Sequence, residues 1–168
     1  SAAVVENVRS FASLETLSES IKDIETRFLL SNNTCRNMYE RKVVGSTVAA
    51  LFAYQSIAIF LWAGDSRVYR LRDGTLALMT EDHSLVQERV RRGEISLDEA
   101  QLLPKANVLT RAIGIHQNLR VEMRSALIQS GDRYLISSDG LYKEFAFNEV
   151  KKMLCADALE DILDNMIS

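Results

Sequence analysis

Cysteines, net charge and long apolar runs are all scarce in this chain of 168 residues, and each scarcity excludes a class of function. Its two cysteines, Cys35 and Cys155, lack any metal-like spacing, so they read as reduced thiols of a cytoplasmic protein. A net charge of −3, with Lys and Arg scattered along the chain, offers no footing for a nucleic-acid backbone. The longest apolar run, Ile57–Ala63, has the length of a strand and falls far short of a membrane span. No secretory signal is visible, and there is no initiator Met. No Gly-x-Ser-x-Gly elbow surrounds Ser137 or Ser138, so neither reads as a nucleophile. Repeats, linkers and low-complexity stretches are absent as well.

What is present is an ordinary globular composition, 47% hydrophobic and 26% charged, with enough chain for one domain. Leu14, Leu17, Ile21, Ile24 and Phe28 recur at three- and four-residue steps. They predict a helix from about Leu14 to Tyr39, capped by Ser13. Thr47–Tyr54, Ile57–Ala63, Val68–Leu71 and Leu76–Met79 predict a meander of antiparallel strands, with Asp73-Gly74 as a two-residue hairpin turn. The stretch from Thr80 to Pro104 breaks that pattern. It is rich in charge and holds two capping signatures, Ser84-x-x-Gln87 and Ser96-x-x-Glu99, so it predicts two short helices hinged at Gly93. Val108–Ile113 and Val121–Ile128 return to strand, and Gly131-Asp132 turns the latter into a strand ending at Asp139. Asn148 and Asp157 then start two terminal helices.

Two junctions carry chemical interest. The run Tyr134-Leu135-Ile136 gives way to Ser137-Ser138-Asp139-Gly140, and Ile57–Ala63 gives way to Gly64-Asp65. A carboxylate where a strand leaves the core must be hydrogen-bonded, paired or bound to a cation, because an isolated buried charge is costly. Asp65 and Asp139, 139 − 65 = 74 positions apart, are therefore the candidate ligands of one hard cation. Magnesium and manganese favour carboxylate oxygens and water. The plainer reading of each is a turn aspartate, and spacing alone does not choose. His83, in Glu81-Asp82-His83-Ser84, tempts as a general acid because histidine as a residue type titrates near neutrality, but it reads as a helper in capping the next helix, while His116 lies in a loop. Asp82 reads as a helix N-terminal acid, and Arg67 and Arg111 either meet phosphate or pair with a nearby carboxylate.

Gly45-Ser46-Thr47, Ala63-Gly64-Asp65-Ser66-Arg67-Val68-Tyr69, Thr80-Glu81-Asp82-His83-Ser84-Leu85, Asn107–Gly114 and Ser138-Asp139-Gly140-Leu141 follow in that order. Together they resemble the metal-dependent serine/threonine protein phosphatases of type 2C (PPM family) in their bacterial form. The resemblance implies an α+β fold, a four-layer α/β-β/α sandwich of two antiparallel sheets flanked by helices and incomplete here. It makes residues 1–168 one phosphatase-like domain, and the insertion at about 80–104 a mobile flap beside the active site. It also implies Mn2+ or Mg2+, with Asp139 matching a ligand of both the central pair and a third ion, and Asp65 a ligand of the third ion alone. Metal-activated water, not a protein nucleophile, then attacks a phosphoserine or phosphothreonine. The expected partner is a phosphorylated protein, the substrate of a serine/threonine kinase. The expected state is a cytoplasmic monomer that meets neither nucleic acid nor membrane.

The family's opening Asp-Gly-Met-Gly-Gly-His-like motif and its closing Asp-Asn pair are not among these residues. Ser1–Arg9 resembles the helix that follows the first motif, and Asp164-Asn165 has nothing strand-like after it. The stretch thus reads as the middle of a phosphatase domain, inactive or crippled alone, from a parent enzyme. The competing reading is a non-catalytic phosphatase-like domain that binds a phosphoprotein or a kinase. It accounts for the missing motifs but gives no reason to keep Asp65 and Asp139.

Overall fold

A computed structural model describes residues 2–9, 11, 15–38, 45–103 and 108–155. The chain runs through helices α1 (Ala2–Arg9) and α2 (Leu17–Met38), then strands β1 (Val48–Tyr54), β2 (Ile57–Ala63), β3 (Arg67–Arg72) and β4 (Thr75–Leu78). Helices α3 (Leu85–Arg91) and α4 (Leu97–Leu102) follow, then β5 (Glu122–Leu127), β6 (Arg133–Ser137), α5 (Asp139–Glu144) and α6 (Phe147–Cys155). Every strand pairing is antiparallel, in two sheets ordered β1-β2-β5 and β4-β3-β6.

The layering follows from side-chain alternation along β2 and β3. Ile59, Leu61 and Ala63 point from β2 to the helices and pack with Val4, Ile24, Phe28 and Cys35. The intervening Ala58, Phe60 and Trp62 point the other way, onto Val68, Met79 and Tyr134 of the second sheet. On the far face of that sheet, Tyr69, Leu71 and Leu76 meet Val150 and Leu154 of α6, with Leu141 and Phe145 alongside. The order is helices, sheet, sheet, helices. This is the α+β sandwich that the sequence predicts.

Turn chemistry fixes the hairpins. Asp73 and Gly74 both take positive φ, 48° and 67°, as a two-residue turn matched to the strand twist requires. Both capping signatures of the 80–104 stretch are formed. The Ser84 hydroxyl accepts from the Gln87 N–H, and Ser96 and Glu99 close a reciprocal capping box. Gly93, with φ 71°, lies between the two helices.

Several expectations are corrected. The long helix begins at Leu17 because Thr16 and Glu19 form a capping box, in which the Thr16 hydroxyl accepts from the Glu19 N–H at 3.2 Å and donates to the Glu19 carboxylate at 2.8 Å. Ser13, Leu14 and Tyr39 lie outside the described residues, as does the helix expected from Asp157. The four strands from Val48 to Leu78 are not one meander. β2 and β3 belong to different sheets, and residues 64–66 carry the chain across. Val108–Ile113 is not a strand either, because its hydrogen bonds go to two unrelated partners. Leu109 bridges Ser84, whereas Ile113 bridges Ser46. The last strand ends at Ser137, so Asp139 opens a helix, and α6 starts at Phe147.

This layering makes a testable contrast. Phe60 is fully buried between the sheets, and Phe60→Ala should cost about 3–5 kcal/mol in urea unfolding. Leu29 on α2 is 42% exposed, and Leu29→Ala should change stability by less than about 1 kcal/mol. Equal losses would contradict the arrangement of layers.

Candidate metal centre

Register brings the two aspartates together. β3 and β6 pair Arg67 with Ser137 at the end of their ladder. Asp65 lies two residues before Arg67 and Asp139 two residues after Ser137, so both carboxylates emerge at the same sheet end. They line one open depression with Gly45, Ser46, Thr47 and Lys143. The spacing of the two aspartates in sequence did not reveal this; the strand pairing does.

Their environments differ. Asp65 is buried, at 7% exposure, and its carboxylate has no ion pair among the described residues. Asp139 is half-buried and pairs with Lys143 one turn along α5, and that ammonium holds the Asp139 carboxyl below its ordinary range. A lysine already stands where a cation would sit against Asp139. A buried carboxylate with no direct ion pair among the described residues, beside a second carboxylate on an open depression, is a donor set that fits a hard divalent ion. Among the described residues no group of three or more His, Cys, Asp or Glu side chains is arranged around a common point.

Gly64 shapes the exit from β2. Its φ of 118° lies where side chains are strained, and an added Cβ would stand 2.4 Å from the Thr47 methyl. Thr47 and Ser66 share a 2.8 Å hydroxyl hydrogen bond across the same turn. Gly45-Ser46-Thr47 and Gly64-Asp65-Ser66 are therefore one packed unit. On the other side, the Tyr142 hydroxyl donates to the Asp65 backbone carbonyl at 3.1 Å. Burial, with the negative charges of Asp82 and Asp65 nearby, raises the Tyr142 pKa well above its ordinary value.

His83 does not cap a helix; Ser84 takes that role. The imidazole is buried, stacks on Trp62 with ring centroids 6.0 Å apart, and accepts from the Gly64 N–H through Nδ1 at 3.1 Å. An accepting Nδ1 requires the neutral tautomer with its proton on Nε2, which then donates to Glu122 at 2.8 Å. Arg111 completes the cluster by donating to the same Glu122 oxygen at 2.9 Å. Burial, then the Arg111 charge, lowers the His83 pKa, against the opposing pull of Glu122. Burial pushes Glu122 up, yet His83 and Arg111 hold it below its ordinary value.

Arg67 grips Asp82 with a two-pronged pair at 3.0 and 2.7 Å, so Asp82 anchors that arginine and does not serve a helix N-terminus. Of the other sequence candidates, His116 offers its carbonyl to Asn32, and Cys35 and Cys155 are free thiols. Neither lies at the depression. Sequence reading missed Lys143 and Tyr142, which sit four and three residues after Asp139. Once that stretch is known to be helical, the spacing places both one turn along from Asp139.

No family model matches the chain. Serine/threonine phosphatase stp of Listeria monocytogenes is 38% identical over 111 residues, covering 66% of this chain and 44% of that protein. The chain thus spans about half the length of the curated relatives it matches. The solved structure of PppA, a key regulatory component of T6SS in Pseudomonas aeruginosa, is 31% identical with a TM-score of 0.87, covering 99% of this chain and 70% of that one. The catalytic domain of the serine/threonine protein phosphatase PstP in complex with two manganese ions has a TM-score of 0.81, with 99% and 71% coverage. At 23% identity, that likeness speaks for the fold alone.

The buried imidazole makes a pH prediction. A base whose folded pKa lies below its unfolded value of about 6.5 binds more protons when unfolded. Its contribution to stability is full above that pH and is lost as pH falls through and below it. Urea midpoints should therefore drop between pH 7 and 5, and His83→Gln should flatten that limb while lowering the plateau. An equally steep limb in the variant would remove His83 as the cause.

Proposed function

The chain belongs to the metal-dependent serine/threonine protein phosphatases of type 2C, and we propose that its parent protein hydrolyses phosphoserine and phosphothreonine in proteins. The observation that carries the proposal is the convergence of Asp65 and Asp139 on one depression, the first of them buried and in no direct ion pair among the described residues. Asp139 would ligate the central manganese or magnesium pair and a third ion, and Asp65 the third ion alone. Bound divalent ions supply an activated water and neutralise charge on the phosphoryl oxygens.

The chain's own residues hold and orient. Gly64 and Thr47 set the turn that presents Asp65, His83 Nδ1 pins that turn by accepting from the Gly64 N–H, and Ser138 precedes Asp139 at the start of α5. The 80–104 insertion is proposed as a flap beside the depression, rooted by the Arg67–Asp82 pair and by Ser84 against Leu109. Lys143, on the rim, would have to leave Asp139 for that carboxylate to hold a metal, and its ammonium would then be placed to meet a phosphate oxygen. The proposed substrate is the phosphoprotein product of a serine/threonine kinase. The free thiols accord with a cytoplasmic setting, and the proposed state is a monomer. No helix among the described residues is long and apolar enough to cross a membrane.

One observation favours a second reading. The Lys143–Asp139 pair satisfies Asp139 without a metal, as a phosphatase-like module that only binds a phosphoprotein or kinase would require. Such a module retains a phosphopeptide in manganese without releasing phosphate.

The test uses a phosphothreonine peptide and added manganese with the intact protein. Asp139→Ala should lower turnover at least roughly a hundredfold, as expected when metal assistance is lost. Residues 1–168 alone, with two of the family's carboxylates, should show no more than a trace of the intact protein's rate. Near-normal turnover in Asp139→Ala would refute the assignment.

A further inference from the structure

Asp65 and Asp139 sit on different segments, and the distance between them must be held by something other than their own backbones. Among the described residues, the one hydrogen bond joining residues 64–66 to α5 runs from the Tyr142 hydroxyl to the Asp65 carbonyl. Tyr142 lies one helical turn after Asp139, so this bond ties the two carboxylate-bearing segments directly.

The tyrosine is itself held. The Arg67 guanidinium lies 3.6 Å above its ring centroid, a cation–π stack, while both prongs of the same guanidinium grip Asp82. Arg67 in turn is fixed by the β3–β6 ladder opposite Ser137. A continuous line of contacts therefore runs from Asp82, at the root of the insertion, through Arg67 and Tyr142 to Asp65. A planar ring clamped on one face, with its hydroxyl spent on a backbone carbonyl, is placed to hold geometry and not to react.

We propose that Tyr142 is a positioning residue. Its hydroxyl on Asp65, together with its ring under Arg67, sets the separation of the Asp65 and Asp139 carboxylates and hence the affinity of the cation they share. The inference rests on the metal reading of those two aspartates. A carboxylate pair held at the right separation binds without first having to be ordered, so loosening it weakens binding while leaving the filled site competent.

The test is Tyr142→Phe in the intact protein, which keeps the ring and its Arg67 stack and removes only the hydroxyl. Manganese binding is measured by calorimetry without substrate. Alongside it run thermal unfolding in chelator and the manganese dependence of p-nitrophenyl phosphate hydrolysis. The manganese dissociation constant should rise roughly three- to ten-fold, the scale of one hydrogen bond. Half-saturating manganese should rise with it, and turnover at saturating manganese should be unchanged. A hydroxyl of purely structural value would lower the melting temperature and leave manganese binding as in wild type, which overturns the proposal.

Arg67→Lys keeps the charge but loses the fork and the planar stack, and it should weaken manganese binding in the same direction. It carries the test if Tyr142→Phe does not fold, and wild-type binding in Arg67→Lys overturns the proposal as well. Asp65→Asn separates the two levels. Weakened binding in Asp65→Asn but not in Tyr142→Phe keeps the site and removes Tyr142 from it. Wild-type binding in Asp65→Asn removes the shared site and this proposal together.

Discussion

Strand β2 has no charged or hydroxyl side chain, and its one polar group, the Trp62 indole N–H, is spent on the Glu81 carbonyl, so water must be excluded from both of its faces at once. A lone sheet cannot do that. One face of β2 is covered by α1 and α2, the other by the second sheet, and that sheet then needs α5 and α6 to cover its own outer face. The sandwich of layers is the consequence of one apolar strand seven residues long. Where the strand stops, the chain must cross from one sheet to the other within residues 64–66, and only a glycine at 64 fits against Thr47.

That crossing creates the proposed site. Asp65 follows Gly64 immediately, so its carboxylate stays in a buried setting without an ion pair among the described residues. The β3–β6 register then delivers Asp139 to the same sheet end. Neither aspartate depends on a long flexible loop for its place. The side chains around them are also fixed: His83 by Gly64, Glu122 and its stack on Trp62, and Arg67 by Asp82 and Tyr142. Preorganisation of this kind suits a small, hard cation, whose affinity depends on where the oxygens stand before it arrives.

The sequence was most legible where one residue type decides local structure. Asp73-Gly74, the Ser84 and Ser96 caps, and the apolar strand Ile57–Ala63 all behave as their chemistry dictates. It was least legible where partners are distant. Nothing local tells β3 to pair with β6 instead of β2, so the switch of sheets was missed. Val108–Ile113 has strand-like composition but splits its hydrogen bonds between Ser84 and Ser46, which only the assembled fold brings near. His83 was mistaken for a capping residue because its partners, Gly64 and Glu122, lie 19 and 39 positions away. Both aspartates were legible as strand-end carboxylates, and the ordered motifs around them carried the family; their meeting in space was not.

Asp65 and Asp139 are proposed to share one hard divalent cation at the end of the β3–β6 ladder. Crystals of the intact protein grown with manganese and measured at the manganese absorption edge test it most directly. An anomalous peak is expected within coordination distance, about 2.0–2.6 Å, of a carboxylate oxygen from each aspartate, with Lys143 turned away from Asp139. Anomalous peaks elsewhere, with Asp65 and Asp139 both free of metal and Lys143 still on Asp139, would contradict it.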